Sequence, residues 1–174
     1  KTSYTGFTYD NTLTTSNNTV SGQYIIKGDG TLVIKLYYKR NIHNVTYQYT
    51  GTVPSDASLY PSPLGYKYGA SVTVAGNAAA TGYSFSGWTS TQVTGVSAGQ
   101  NFLMPDTDVV FTGSFTACTA SYTVEHYTQD LVGGGYTKVD TLGASGNVGT
   151  VASYIPKSYT GFTYTPSMTA SNNT

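Results

Sequence analysis

The heptapeptide Ser-Tyr-Thr-Gly-Phe-Thr-Tyr stands twice in this chain of 174 residues, at Ser3–Tyr9 and again at Ser158–Tyr164. The same offset of 155 positions aligns Lys1–Thr19 with Pro156–Thr174 without a gap, and Thr14 and Ser16–Thr19 recur as Thr169 and Ser171–Thr174. Repetition at a fixed spacing redefines the folding unit, because a repeat buries its apolar face against its neighbours. The spacing predicts slightly more than one period of a repeating array, cut inside a module at each end.

Only 9% of the residues are charged, and the formal net charge is zero. A soluble domain usually carries about a quarter of its residues charged, so Thr, Ser, Asn, Gly and Tyr must cover this surface. Disorder pairs low hydrophobicity with high charge. A hydrophobic fraction of 39% with 17 Tyr predicts a folded chain instead. A neutral chain with no basic run is a poor partner for nucleic acid, whose binding starts from phosphate neutralisation, or for an anionic membrane surface. No stretch is long and apolar enough to insert in a bilayer. One cysteine, Cys118, excludes an internal disulfide framework.

Helical periodicity is nearly absent. One short turn is expected at Ser55–Leu59, capped by Ser55 and ended by Pro61. Strand alternation is frequent. Leu32, Ile34, Leu36 and Tyr38 fall on one face of a strand whose other face carries Val33, Lys35, Tyr37 and Lys39. Asp29-Gly30 before it predicts a tight turn, with Gly22–Ile26 as the partner strand. Further strands are expected over His43–Thr50, Ser71–Gly76, Tyr83–Trp88, Asp108–Phe115, Ser121–Thr128 and Tyr136–Thr141, with Leu131–Tyr136, which holds the Gly133–Gly135 run, as a turn.

These strands group into two module types. Residues 1–40 form the closing part of an A-type module, 41–117 a complete B-type module, and 118–174 the opening part of the next A-type module. The linkers, near Arg40–His43 and Ala117–Ala120, are short enough to predict a stiff rod. The fold class expected is all-β to β-rich α+β.

Three stretches carry one resemblance: YTVEHYTQD (Tyr122–Asp130), SYTGFTY (Ser158–Tyr164) and DGTLVIKLYYKR (Asp29–Arg40). Joined across the period, they resemble the MucBP-like (mucin-binding-protein) repeats of Gram-positive surface proteins. The B-type module is similar to internalin B-repeats and SHIRT-type repeats through YKYGASVTV (Tyr66–Val74), GYSFSGW (Gly82–Trp88) and FLMPDTDVVFTGSF (Phe102–Phe115). These resemblances imply small β-grasp-like domains in tandem, extracellular at the cell surface or in the cell wall, serving as stalks or adhesive arms. No cell-wall sorting motif is present.

Candidate sites are sparse. His43 and His126 lie on unrelated strands without a Cys or carboxylate at ligand spacing, and a metal site needs several converging donors. Asp106-Thr107-Asp108 lacks the regular oxygen donors of a calcium loop and reads as a turn. Gly133–Gly135 lacks the ending of a phosphate loop. Glu125 is the only Glu, so no paired carboxylates are available for acid–base work. Trp88 and Phe85 read as core, together with Val45, Tyr47, Val72, Val74, Val109 and Phe111.

No catalytic residue, metal or cofactor is therefore expected, and no enzyme. The expected role is a tandem-repeat stalk, adhesin arm or filament. Its partners are copies of itself or adjacent repeats, joined head to tail through Tyr24, Ile26, Leu32, Ile34, Leu36 and Tyr38 on one side and Tyr122 and Val124 on the other. Two alternatives stay open. One is a glycan- or mucin-binding module using outward Tyr such as Tyr37 and Tyr127. The other is a separate subunit that polymerises by strand complementation.

Overall fold

The computed structural model describes residues 3–18 and 23–172. The described residues are β-rich with two short helices. Contacts divide the chain into two units: Lys1–Ala80 with Phe85–Thr116, and Thr81–Ser84 with Ala117–Thr174.

The first unit is built on two parallel strands, β3 (Ile42–Thr50) and β8 (Val109–Ala117). Parallel neighbours need a long crossover, and residues 51–108 supply it. The register sets Val45 opposite Val109 and Tyr47 opposite Phe111, so period-two alternation puts all four on one face. β4 (Leu64–Lys67) flanks β3, and β6 (Tyr83–Phe85) flanks β8. An antiparallel pair, β5 (Ser71–Thr73) with β7 (Asn101–Leu103), closes the core from the other side with Val72, Val74, Phe102 and Met104.

The core residues expected from alternation are buried, apart from Phe85, which is half-buried and packed against the cluster. Tyr47 stacks on Phe111 with centroids 5.1 Å apart, and Trp88 meets Tyr47 edge-on at 5.0 Å. Both polar tips are satisfied. Trp88 Nε1 donates to the Gly76 carbonyl at 2.9 Å, and Tyr47 Oη accepts the Ala75 N–H at 2.9 Å. Burial pushes the Tyr47 phenol up.

Several local expectations are corrected. Ser55–Leu59 forms a turn closed by the Ala57 N–H on Pro54, not a helical turn, since the next donor, the Ser58 N–H, goes to the Ala79 carbonyl. A helix that alternation did not announce, α1 (Asn11–Asn18), follows β1 (Phe7–Tyr9). Asp10 caps it by accepting the Leu13 N–H on Oδ1 at 2.9 Å. The Asp29-Gly30 turn forms, with the Gly30 N–H on Lys27. The flanking strands do not. Gly22 lies outside the described residues, residues 24–37 are not strand, and the strand β2 begins only at Tyr38 and ends at Arg40. Tyr24, Ile26, Ile34 and Leu36 are exposed and Leu32 half-buried, so nothing in this unit rewards their alternation.

The second unit is a long antiparallel ribbon of β9 (Thr119–Gln129) and β10 (Tyr136–Asn147), with a register shift between Lys138 and Asp140. Its turn matches expectation: Gly133 and Gly134 take φ of 85° and 68°, which only Gly adopts freely. β10 runs beyond the expected Thr141 to Asn147. α2 (Pro166–Asn172) ends the described chain. Among the described residues the apolar core consists of first-unit residues, and Leu131, Val132, Val151 and Ile155 are each more than four-fifths exposed.

Candidate functional site

The two copies of the repeated heptapeptide fold alike locally. The Phe7 N–H closes on the Tyr4 carbonyl at 3.1 Å with Gly6 at φ 78°, and the Phe162 N–H closes on Tyr159 at 3.1 Å with Gly161 at φ 85°. Both are β-turns whose third position needs φ > 0, which is why Gly stands there.

Only the first copy is seated. β1 pairs with β2, Phe7 opposite Arg40 and Tyr9 opposite Tyr38. The Arg40 guanidinium lies 4.9 Å over the Phe7 ring and donates to the Tyr68 carbonyl at 2.9 Å. The Tyr38 ring meets Tyr4 and Tyr9 edge-on, at 4.9 and 5.6 Å. Gly6 is buried so tightly that a Cβ there would lie 2.0 Å from the Tyr68 ring. Around Gly161 a Cβ would meet nothing within 4 Å, and Phe162 is half in solvent.

Asp106 is the polar centre of this seat. Oδ2 accepts the Gly6 N–H at 2.8 Å; Oδ1 accepts Asn41 Nδ2 at 2.8 Å and contacts His43 Nε2 at 2.8 Å. The Asn41 bond, then His43, then the Gly6 N–H hold its carboxyl below the usual aspartate range, against a smaller opposing effect of desolvation. Asn41 closes the circle, donating its N–H to the Gly6 carbonyl at 2.9 Å and accepting the Thr8 hydroxyl at 2.7 Å.

The helix end of the seat is also polar. The Asp10 N–H donates to the Tyr37 carbonyl at 2.8 Å, and Asp10 Oδ2 pairs with Lys39 at 2.8 Å. Leu13 N–H first, then Lys39, hold the Asp10 carboxyl down. Thr14, fully buried, accepts the Tyr37 N–H on its hydroxyl at 3.0 Å.

His43 has no Cys or carboxylate at ligand spacing in the sequence, and the fold brings two carboxylates to it from far along the chain. The fold sets its Nε2 on Asp106 and its Nδ1 3.7 Å from Asp108, whose Oδ1 also accepts the Asn44 N–H. These carboxylates serve as hydrogen-bond acceptors, and no group of three or more His, Cys, Asp or Glu among the described residues is arranged to hold a metal. His126 packs edge-on against Tyr159 at 5.9 Å. Asp106 was legible as a turn residue only. Its other role needs partners 63 to 100 positions away, which no local pattern announces.

Of the expected module-completing residues, Tyr38 lies in the seat, while Tyr122 and Val124 are half-buried on β9. Tyr37 is half-buried with its backbone engaged by α1. Tyr127 is exposed, and its hydroxyl donates to Glu125, which also pairs with Lys138 at 2.9 Å.

The class defined by this geometry is a β-rich module with an interlocked flanking segment. Residues 45–119 match the family model of the divergent InlB B-repeat domain. That family occurs in bacterial surface proteins, and the match supports an InlB-like surface repeat over the central part of the chain. Comparisons with curated proteins and with solved structures give no match. No helix among the described residues is long and apolar enough to cross a membrane.

Proposed function

We propose that the chain is a non-enzymatic, extracellular tandem-repeat segment that builds a stalk, adhesin arm or surface filament, each A-type module being completed head to tail by an adjacent repeat. Repeat domains of the matched family are typically non-catalytic. One contrast carries the reading: the described residues of the second unit contribute nothing to the apolar core, while Ile25, Ile26, Val33 and Ile34 of the first stand at least 49% exposed. A two-stranded ribbon is marginal alone, and open strand edges recruit further strands. The central parallel pair β3–β8 is the feature that supports a β-grasp-like B-type module.

The test is a chain carrying a copy of residues 20–40 after Thr174. Amide exchange in β9 and β10 should slow roughly tenfold or more, since a third strand protects the ribbon. Unchanged exchange would count against completion. A glycan-contact role for Tyr127 rests on its exposed ring with a fixed hydroxyl. Loss of glycan-array binding on Tyr127→Ala would support that role.

A further inference from the structure

We infer that the seat formed by Tyr37–Asn41, Tyr68 and Asp106 is an exchangeable docking site, and that its second occupant is the segment 158–172 of another copy of this chain. The inference rests on the tandem-repeat reading and specifies where two molecules would join.

The first copy of the repeat shows what covers such a segment. Gly6, Phe7, Thr8 and Thr14 make the contacts that define the seat, and Gly161, Phe162, Thr163 and Thr169 stand at the same registers. The donor already holds the turn with positive φ at Gly161, and α2 stands at the register of α1. Phe162–Tyr164 is not strand, so docking orders that short stretch as Phe7–Tyr9 is ordered in β1, while the turn and helix are pre-formed. Its Phe162, Tyr164 and Met168 faces are 50%, 42% and 40% exposed, so binding removes apolar surface from water.

The differences between the copies are compatible with the site. Thr165 stands for the cap Asp10, and Thr is itself a good N-cap. Pro166 stands for Asn11 at the first helical position, where Pro is favoured. The pair with Lys39 is lost together with the buried Asp10 carboxylate, and the Lys39 that remains is 73% exposed, so no buried charge is left unpaired.

In the unaltered chain the covalently attached copy holds the seat at an effective concentration on the order of millimolar. Exchange between molecules is then a minor state at micromolar protein. Gly6→Val reverses this. The new side chain meets the Tyr68 ring and is strained at φ 78°, so the attached copy leaves and the seat opens to a neighbour. Gly161→Val disables the donor without touching the seat. Because donor and seat lie on one molecule, the contact is heterologous and propagates.

The experiment uses the full chain with Cys118→Ser. Thr8 lies opposite Lys39 in the β1–β2 register, and Thr163 is its counterpart. Under mild oxidation, Thr8→Cys with Lys39→Cys should close within a monomer. In Gly6→Val, Thr163→Cys with Lys39→Cys should give a non-reducing ladder in steps of 18.4 kDa, abolished by adding Gly161→Val. Trp88 fluorescence reports whether the first unit remains folded. If it does not, the same pair with Gly6 restored decides: a ladder lost on Gly161→Val supports exchange. Absence of a ladder, a ladder indifferent to Gly161→Val, or closure of Thr163→Cys on Lys39→Cys within one monomer overturns the inference. Slowed ribbon exchange in the extended chain together with no ladder would leave the repeat reading standing and sink only the exchange.

Discussion

Gly6 and Asp106 are 100 positions apart and joined by one N–H···O bond of 2.8 Å. This bond ties the repeated heptapeptide to the last turn before the central strand β8. Asp106→Asn should loosen the heptapeptide while leaving the core intact. We expect the Gly6 amide to exchange roughly tenfold faster, as expected when a charge-assisted bond is weakened, with Val109 and Phe111 amides unchanged. Equal exchange at Gly6 in the two proteins would show that the β1–β2 ladder alone holds the segment.

The same bond makes the seat acid-sensitive. The Asp106 carboxyl is held below its ordinary value, so its contribution is present above the unfolded-state pKa of about 3.9 and is lost as pH falls through the lower folded value. Asp10, also depressed, acts in the same direction. Acidification should release residues 3–9 before the core melts. NMR chemical shifts of Gly6 and Val109 across the acid range check this, and simultaneous loss of both would contradict it.

Gly113 is the tightest point of the aromatic side of the core. A Cβ there would lie 2.3 Å from the Phe85 ring and 3.0 Å from the Gly87 carbonyl. Gly113→Ala should therefore destabilise the first unit by about 1–3 kcal/mol, the range for overpacking. Phe85→Leu in the same chain should recover part of the loss. Urea unfolding followed by Trp88 fluorescence measures both.

How much of this was legible depends on what each pattern reports. β3 and β8 were readable because Val45, Tyr47, Val109 and Phe111 alternate and their partners lie in the same unit. Residues 32–38 alternate as clearly, yet remain outside strand until Tyr38. Alternation records which face wants burial, and says nothing about whether a partner strand is at hand. α1 was hidden because it has almost no apolar stripe: Asp10 caps it, and a Thr hydroxyl, Thr14, occupies its buried position. Phe102 and Met104, in FLMPDTD, are as buried as the expected core but straddle Leu103 at 69% exposure in a strand of three residues. The seat was illegible because the contacts that join its two sides, such as Gly6 to Asp106 and Thr14 to Tyr37, link residues far apart in sequence.

Trp88 offers a direct test of the core reading. It is 3% exposed, and its Nε1–H is spent on the Gly76 carbonyl. Trp88→Phe keeps a ring but leaves that carbonyl without its donor, a loss of about 1–3 kcal/mol if the carbonyl stays buried. Trp88→Ala should cost about 3–5 kcal/mol through the cavity. Chemical denaturation gives both values, and a change below about 0.5 kcal/mol, the scale of ordinary surface substitutions, would reject the core role.

Thr14 and Thr169 offer the sharpest comparison between the two copies. They occupy the same register, but Thr14 is fully buried with its hydroxyl on the Tyr37 N–H at 3.0 Å, while Thr169 is only half-buried. Thr→Val conserves shape and removes the hydroxyl. At position 14 it leaves the Tyr37 N–H without its acceptor, and the expected loss is about 1–3 kcal/mol. At position 169 the side chain bonds the exposed Tyr164, where solvent can replace the lost partner, so the change should stay near the scale of ordinary surface substitutions, about 0.5 kcal/mol. In the Gly6→Val background the ranking should invert. There the seat is vacant of residues 3–18, so Thr14→Val should have no effect on the cross-linked ladder, and Thr169→Val should weaken it. Equal effects of the two substitutions in both backgrounds would mean that the seat does not distinguish its own copy from a neighbour's.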